Sequence, residues 1–305
     1  MVYAPAPLLT ATLELHHDVN DLHLHAGGQG VWQARMVTLL GARAVLCTVL
    51  GGETGRVLEA LLADEVFAVR SVRRAHATGW YVHDRRQGQR HTIAEAAGTP
   101  LDRHVVDELY NIALAEGLRA PVTLLGGPAH PSLLKPDVYR RLASDLTANG
   151  TKVVADLAGE HLTAALAGGV AVLKVSHDEI IAAGRAEDSG VEALGTAARR
   201  LREEGAQAVV ISRAHEPALA LLDGTLHLVE PPRIEEVDPR GAGDSMTAGI
   251  ATLLARGADL ETAIRVGTAA GAVNVTRHGL GTGHADAIAE LARRVRLTPL
   301  SGAAS

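Results

Sequence analysis

Asp238-Pro-Arg-Gly-Ala-Gly-Asp-Ser-Met246 joins a tight glycine turn to the start of an amphipathic helix and sets one carboxylate, Asp244, at the junction. Gly241 and Gly243 leave the backbone bare, so the N–H groups of Gly241, Ala242 and Gly243 can point into a common space. Ala248 to Leu254 then run apolar, which predicts a buried helix. A helix N-terminus carries unpaired N–H donors and a partial positive charge, a geometry suited to an anion and above all to a phosphoryl group in transfer. A carboxylate beside such a hole suits a general base that takes a proton from an attacking hydroxyl. Alone, the stretch reads equally as a helix whose first turn holds an aspartate because the macrodipole favours it.

Composition narrows the field. A chain of 305 residues with 47% hydrophobic and 21% charged residues is long enough for one large α/β domain with a small accessory part. A formal net charge of −6 argues against nucleic acid or an anionic membrane as partner. The single cysteine, Cys47, lies in the apolar run Ala44–Leu50 and excludes an intramolecular disulfide. No apolar run approaches the ~18 residues of a membrane span, and the opening residues lack a basic leader. The expected location is therefore cytoplasmic. Lysine occurs only at Lys135, Lys152 and Lys174, and no Gly-Lys pair exists, so a Walker A loop is excluded.

One unit recurs: an amphipathic helix, a glycine, then a short apolar strand. It is read at Gly41 before Ala44–Leu50, Gly117 before Pro121–Leu125, Gly150 before Lys152–Asp156 and Gly205 before Ala208–Ser212. Glycine just past a helix supplies the left-handed turn, and near-continuous apolar strands belong in a parallel sheet covered on both faces. The prediction is a doubly wound, three-layer α/β/α fold. Leu8–His25 and Thr78–Ile93 break the rhythm with β alternation, the second as a hairpin turning through Arg85-Arg-Gln-Gly88. They predict a small antiparallel lid, residues 8–26 and 76–98, over a core of residues 27–75 and 99–300. The lid would cover the carboxyl ends of the parallel strands, where ligands bind in open α/β sheets.

A second glycine cluster, Ala26-Gly-Gly-Gln-Gly-Val-Trp-Gln-Ala-Arg35, opens another helix. It lacks the third glycine of a dinucleotide fingerprint. Together with Gly241–Asp244, it resembles the two signatures of the phosphofructokinase B (ribokinase-like) carbohydrate kinases. The resemblance extends through Gly51-Gly-Glu-Thr-Gly55, Leu125-Gly-Gly-Pro128, Val172-Leu-Lys-Val-Ser-His-Asp-Glu179 and Val209-Val-Ile-Ser212. Its spacing is closest to the 1-phosphofructokinase and tagatose-6-phosphate kinase branch.

The resemblance implies transfer of phosphate from ATP, with Mg²⁺, to a hydroxyl of a sugar-like small molecule. It makes Asp244 the base and Gly241, Ala242 and Gly243 the anion hole. Asp21, Gly27, Gly28, Gln29 and Arg35 fall on the substrate side. Lys174, Ser212, Arg213, Asp238, Arg240, Asn274 and Gly281 fall on the nucleotide side, and Glu179 holds the water shell of Mg²⁺. Lids of this kind pair subunits in the family, which allows a homodimer through the β lid.

Several positions depart from the family pattern. Gln29 stands where the family has a lysine, and Gly79 where a lid arginine is expected; in sugar-phosphate kinases that pair neutralises the substrate's own phosphate. His25, Arg35 and Arg85 are the residues that could substitute. Arg213 and Pro217 replace the glycines of the nucleotide loop, and Ser176 replaces an asparagine. A second reading follows: a ligand-binding or regulatory relative that kept the fold while its ATP loop eroded. The histidines His16, His17, His23 and His25 cluster without the carboxylate or cysteine spacing of a defined zinc site.

Overall fold

The computed structural model describes residues 1–276 and 280–300. Its N-terminal half runs β1 (Val2–Tyr3), β2 (Leu8–His16), β3 (Val19–Gly27), α1 (Gln29–Leu39), β4 (Val45–Gly51), α2 (Gly52–Ala63), β5 (Ala68–Arg74), β6 (Thr78–Asp84), β7 (His91–Gly98) and α3 (Arg103–Leu118). There follow β8 (Val122–Gly126), α4 (Asp137–Ala148), β9 (Lys152–Asp156), α5 (Gly159–Gly168), β10 (Val170–Ser176), α6 (His177–Ala182) and α7 (Val191–Glu203). The chain continues through β11 (Ala206–Arg213), β12 (Glu216–Leu222), β13 (Thr225–Glu230), α8 (Ala242–Ala255), α9 (Leu260–Asn274), α10 (Ala285–Ala292) and β14 (Arg296–Pro299).

The main sheet has the order β14-β13-β12-β11-β10-β9-β8-β1-β4-β5. From β5 across to β11 every pairing is parallel, and β12, β13 and β14 extend the edge antiparallel. One apolar cluster packs α1, α8 and α9 on one face; a second packs α3, α4, α5 and α7 on the other. This is the predicted doubly wound, three-layer α/β/α fold. Cys47 in β4 is fully buried, and burial pushes its thiol up to about 12, which makes it a packing residue.

Gly41, Gly150 and Gly205 take positive φ just past their helices, as read from the sequence. Gly117 does not: it lies inside α3, where a β-carbon would stand 2.6 Å from Leu146 Cδ2 and 3.1 Å from Thr123 Oγ1. That glycine serves close helix packing rather than a turn.

The second sheet has the order β3-β2-β6-β7, two antiparallel hairpins joined by the parallel pair β2–β6. The return strand of the second hairpin extends to Gly98, beyond the predicted Ile93. Alternation gives this sheet two unlike faces. Thr10, Thr12 and His83 are buried polar residues; Thr12 stands in register with His83 and Thr10 with Tyr81. Leu15, Leu22 and Leu24 remain 49%, 57% and 42% exposed.

Candidate active site

Helix α8 begins at Ala242 with Gly241 as its cap in the left-handed conformation, φ 72°. Only glycine adopts that turn without strain. The turn is held from both sides. Asn274, fully buried near the end of α9, donates from Nδ2 to the carbonyl of Arg240 at 2.7 Å and accepts the amide of Gly281 at 3.0 Å. The carbonyl of Val275 accepts the amides of Val237 and Asp238 at 2.7 and 3.0 Å. Asn274 and Gly281, expected near the nucleotide, thus have their polar groups engaged in fixing the turn. Of the glycine group Arg277–Gly283, residues 277–279 lie outside the described residues.

Beneath the turn, Lys174 in β10 is almost fully buried, and a β-carbon on Gly243 would overlap its ammonium. Its Nζ lies 3.4 Å from Asp156 Oδ1 at the end of β9. The other Asp156 oxygen accepts from Gln33 Nε2 at 3.1 Å and Thr247 Oγ1 at 2.8 Å. Burial alone would lower the lysine, but the carboxylates of Asp156, Asp244 and Glu179 outweigh it and hold Lys174 above its ordinary value.

Asp244 keeps partial contact with solvent. Burial first, and then the charge of Asp156, raise its carboxyl; Lys174 and a hydrogen bond from Gln29 pull it back, leaving it at about 7. Gln29 Oε1 also accepts the amide of Gly127 at 2.7 Å, so this side chain links Asp244 to the turn after β8. A carboxylate poised near neutrality beside a buried ammonium and a helix N-terminus can exchange a proton with an attacking hydroxyl and hold the resulting charge.

Glu179 caps α6: its Oε2 accepts from the amide and hydroxyl of Ser176, both at 2.8 Å, while its charge reaches Lys174 and Asp244. Ser212 lies in register with Ser176, and its carbonyl is 3.3 Å from His177 Nδ1. Arg213 donates to the carbonyl of Pro217 at 3.2 Å, and its buried Nε has no partner. Asp238 accepts from Arg240 at 2.9 and 2.6 Å and lies 3.8 Å from Arg85 Nη2. Burial would raise Asp238, but the Arg240 hydrogen bonds and charge hold it below the usual carboxylate range.

At the positions expected on the substrate side, Gly27 ends β3 and Gly28 caps α1, and Tyr81 Oη approaches within 3.3 Å of where a Gly27 β-carbon would stand. Asp21 pairs with His23 at 3.0 Å on the lid. Arg35 is ion-paired to Glu65, Nε to Oε1 at 2.8 Å. Sequence reading missed Asp156, Gln33 and Thr247 at the base of the site. It also missed the lid residues Thr10, Tyr81, His83 and Arg90.

A raised carboxyl, a buried ammonium and a glycine-capped helix start meet at the carboxyl edge of a parallel sheet, an arrangement with the groups that phosphoryl transfer requires. The pfkB family carbohydrate kinase model matches residues 3–287, and the chain belongs to that family of ATP-dependent carbohydrate kinases. It is 30% identical over 260 residues to the ATP-dependent 6-phosphofructokinase isozyme 2 of Escherichia coli (strain K12), covering 83% of this chain and 82% of that protein. It is similar to the crystal structure of phosphofructokinase-2 from Escherichia coli in complex with fructose-6-phosphate, with a TM-score of 0.81, 26% identity, and 96% and 97% of the two chains covered. Arabidopsis thaliana ribokinase complexed with ribose and ATP shares the fold, with a TM-score of 0.73 at 19% identity and 96% and 98% coverage. Among the described residues no helix is long and apolar enough to cross a membrane.

Proposed function

We propose that this kinase moves the γ-phosphoryl group of ATP to a hydroxyl of a sugar or sugar phosphate, with Asp244 as the base. The observation that carries this reading is the placement of Asp244 in the first turn of α8, behind the left-handed Gly241 cap and with the Lys174 ammonium packed against Gly243, where burial also raises its carboxyl to about 7. The hydroxyl proton passes to Asp244, the oxygen forms a bond to phosphorus as the bond to ADP breaks, and the first amides of α8 and Lys174 hold the spreading negative charge. Gln29 orients the base.

Mg²⁺ supplies charge neutralisation at the nucleotide phosphates when bound. Glu179 fits as the carboxylate that holds its water shell, because its charge is felt at both Lys174 and Asp244. Residues 8–26 and 76–98 act as the lid over a core of 27–75 and 99–300. The exposed leucines of the lid support a homodimer through that sheet.

The test is ATP turnover with Mg²⁺ across free sugars and sugar phosphates. Turnover lost in Asp244→Asn supports the base; turnover unchanged there removes it. A second reading, a non-catalytic binding relative, is favoured by Arg213 and the tight Ala214–His215 turn in the nucleotide loop. No turnover, with no thermal shift from ATP, would establish that reading.

A further inference from the structure

Aromatic side chains make up 2% of the chain: one phenylalanine, two tryptophans and four tyrosines. Tyr3, Phe67, Tyr110 and Tyr139 are buried in the core. Trp80 stands in register with Leu9 of β2, on the apolar side of the lid sheet. That leaves Trp32 and Tyr81, both half-buried, and both border the Gly27–Gly28 turn that opens α1. Tyr81 reaches it from the lid, with its hydroxyl at Gly27. Trp32 reaches it from the helix: its amide donates to the Gly28 carbonyl at 3.3 Å.

Helix α1 buries Gly30, Val31, Gln33, Ala34, Met36 and Val37. Gln29, Trp32 and Arg35 make up its less buried stripe, and the three-residue spacing puts Trp32 on the same face as Gln29. Gln29 in turn hydrogen-bonds the Asp244 carboxyl. Long side chains on a helix lean toward its N-terminus, which lays the indole over the Gly28 cap and alongside Gln29. The backbone of Trp32 is also fixed relative to the anion hole. A β-carbon on Gly281 would collide with the Trp32 carbonyl oxygen, and Gly281 is bonded to Asn274, which holds the Arg240 carbonyl. Among the described residues nothing accepts from the indole N–H, and that group stays open to solvent.

A half-buried tryptophan with a free N–H suits a ligand that offers an apolar face and acceptors along its edge. A closed sugar ring has both, with C–H groups on its face and hydroxyl oxygens at its rim. We infer that Trp32 is a specificity-determining residue for the acceptor. Its indole stacks on one face of a furanose or pyranose ring, and its N–H donates to a ring hydroxyl. This role rests on the kinase reading above and narrows it: the acceptor is taken as a closed ring, not as an open-chain polyol. The two sides of the α8 start separate acceptor from donor. Asp244 faces Gln29 of α1, whereas Gly243 faces Lys174 of β10, the strand that carries Ser176 in register with Ser212. Trp32 therefore lies on the side of the proton-accepting carboxyl, away from the strands expected to carry the nucleotide.

Trp80→Phe leaves Trp32 as the single tryptophan, so its emission reports the site. The full chain with that substitution is titrated with fructose, ribose, fructose 6-phosphate, fructose 1-phosphate and tagatose 6-phosphate, and with the alditol of each. A non-hydrolysable ATP analogue with Mg²⁺ is titrated separately. The ring sugar that binds should change Trp32 emission to saturation and shield it from acrylamide. Its alditol should bind roughly tenfold more weakly, and the ATP analogue should leave the emission unchanged. By calorimetry, Trp32→Ala should weaken the same sugar roughly tenfold or more, and Trp32→Phe should restore most of that loss. Affinity for the ATP analogue should hold in both variants.

A bound ring sugar that leaves Trp32 emission and acrylamide access untouched overturns the assignment, as does an alditol that binds equally well. Absence of binding by every sugar in the panel overturns it too. Shielding by the ATP analogue instead gives Trp32 to the donor. Equal loss of sugar and nucleotide affinity in Trp32→Ala, beside a lowered Tm, makes the residue structural. No arm requires turnover, so the two readings fail separately. A chain that shows the expected pattern but consumes no ATP with any acceptor loses the kinase reading alone. An active chain with an indifferent Trp32→Ala loses the stacking role alone.

Discussion

The ammonium of Lys174 occupies the space that a β-carbon on residue 243 would need. The second glycine of Gly241-Ala-Gly243 is therefore required by a lysine far upstream in β10, and the two form one device: a bare backbone with a buried cation beneath it. Gly243→Ala must push Lys174 off Asp156 or distort the first turn of α8. A misplacement of this size at a reacting centre costs on the order of 100-fold in kcat. Steady-state kinetics with ATP would read it. An alanine variant within threefold of wild type would mean that Lys174 is not part of the transfer machinery.

The pH dependence follows from Asp244. Its carboxyl is raised to about 7, so the free base is lost as pH falls through 7 and kcat/KM should drop about tenfold per unit below that point. Asp244→Asn should lower kcat by roughly 100-fold or more and abolish this limb. Because the group is raised on folding, its ionisation opposes the folded state as pH rises from the ordinary carboxylate value towards 7. The Asn variant should therefore melt higher than wild type at pH 8 while being nearly inactive. A wild-type profile flat from pH 5 to 8 would remove Asp244 as the titrating base.

The architecture was legible because strand and helix alternated with a clear apolar rhythm, and because Gly241–Asp244 combines a backbone device with a carboxylate. Asp156 was not legible. An aspartate that ends an apolar strand looks like ordinary strand termination, and only the fold brings Gln33, Thr247 and Lys174 around it. Its position at the carboxyl end of a parallel strand was the signal available. Arg85 reads in the sequence as a cation that could substitute for the absent lid arginine, whereas Arg90, across the same glycine-containing turn, reads as a solvated charge; nothing in the spacing reveals that Arg85 lies against Asp238. Gly117 failed in the opposite sense, because a helix-ending glycine and a helix-packing glycine look alike in sequence.

Asp156 gives a further prediction. It accepts three side-chain hydrogen bonds while almost fully buried, so Asp156→Ala would leave Lys174, Gln33 and Thr247 without their acceptor. A loss of about 3 kcal/mol in stability is expected from breaking a buried charged network. Asp156→Asn keeps the shape and should retain most stability while lowering kcat through Lys174. Chemical denaturation beside kinetics separates the two effects. An Asn variant with wild-type kcat would confine Asp156 to a structural role.

His83 makes the lid sensitive to acid. Burial, and then the charges of Arg90, Arg240 and Arg85, lower the imidazole from 6.5 to about 4. Between those values the unfolded chain binds the proton and the folded lid does not, so stability falls as pH drops from 6.5 towards 4 and is flat above. The contribution is on the order of 2 kcal/mol across that window. His83→Gln, followed by melting temperature between pH 4.5 and 7.5, should flatten the slope. A variant with the wild-type slope would assign the acid sensitivity elsewhere.

The outer face of the lid carries the last prediction. Leu15, Leu22 and Leu24 lie on hairpin strands whose partly exposed apolar side chains have no covering element among the described residues. Three exposed leucines on one small sheet form the kind of patch that soluble chains bury against a partner. A second copy of the same sheet offers matching apolar shape through a two-fold axis. Replacing Leu22 with Glu puts a charge at the centre of that contact, where it has no partner and must be desolvated. Wild type should sediment as a dimer at micromolar concentration, and Leu22→Glu as a monomer with an unchanged fold by circular dichroism. On the proposal that this sheet closes over the acceptor, the monomer should show a raised KM for the acceptor with ATP binding unaltered. A wild-type chain that sediments as a monomer, or a Leu22→Glu variant that remains a dimer, would assign this face to something other than self-association.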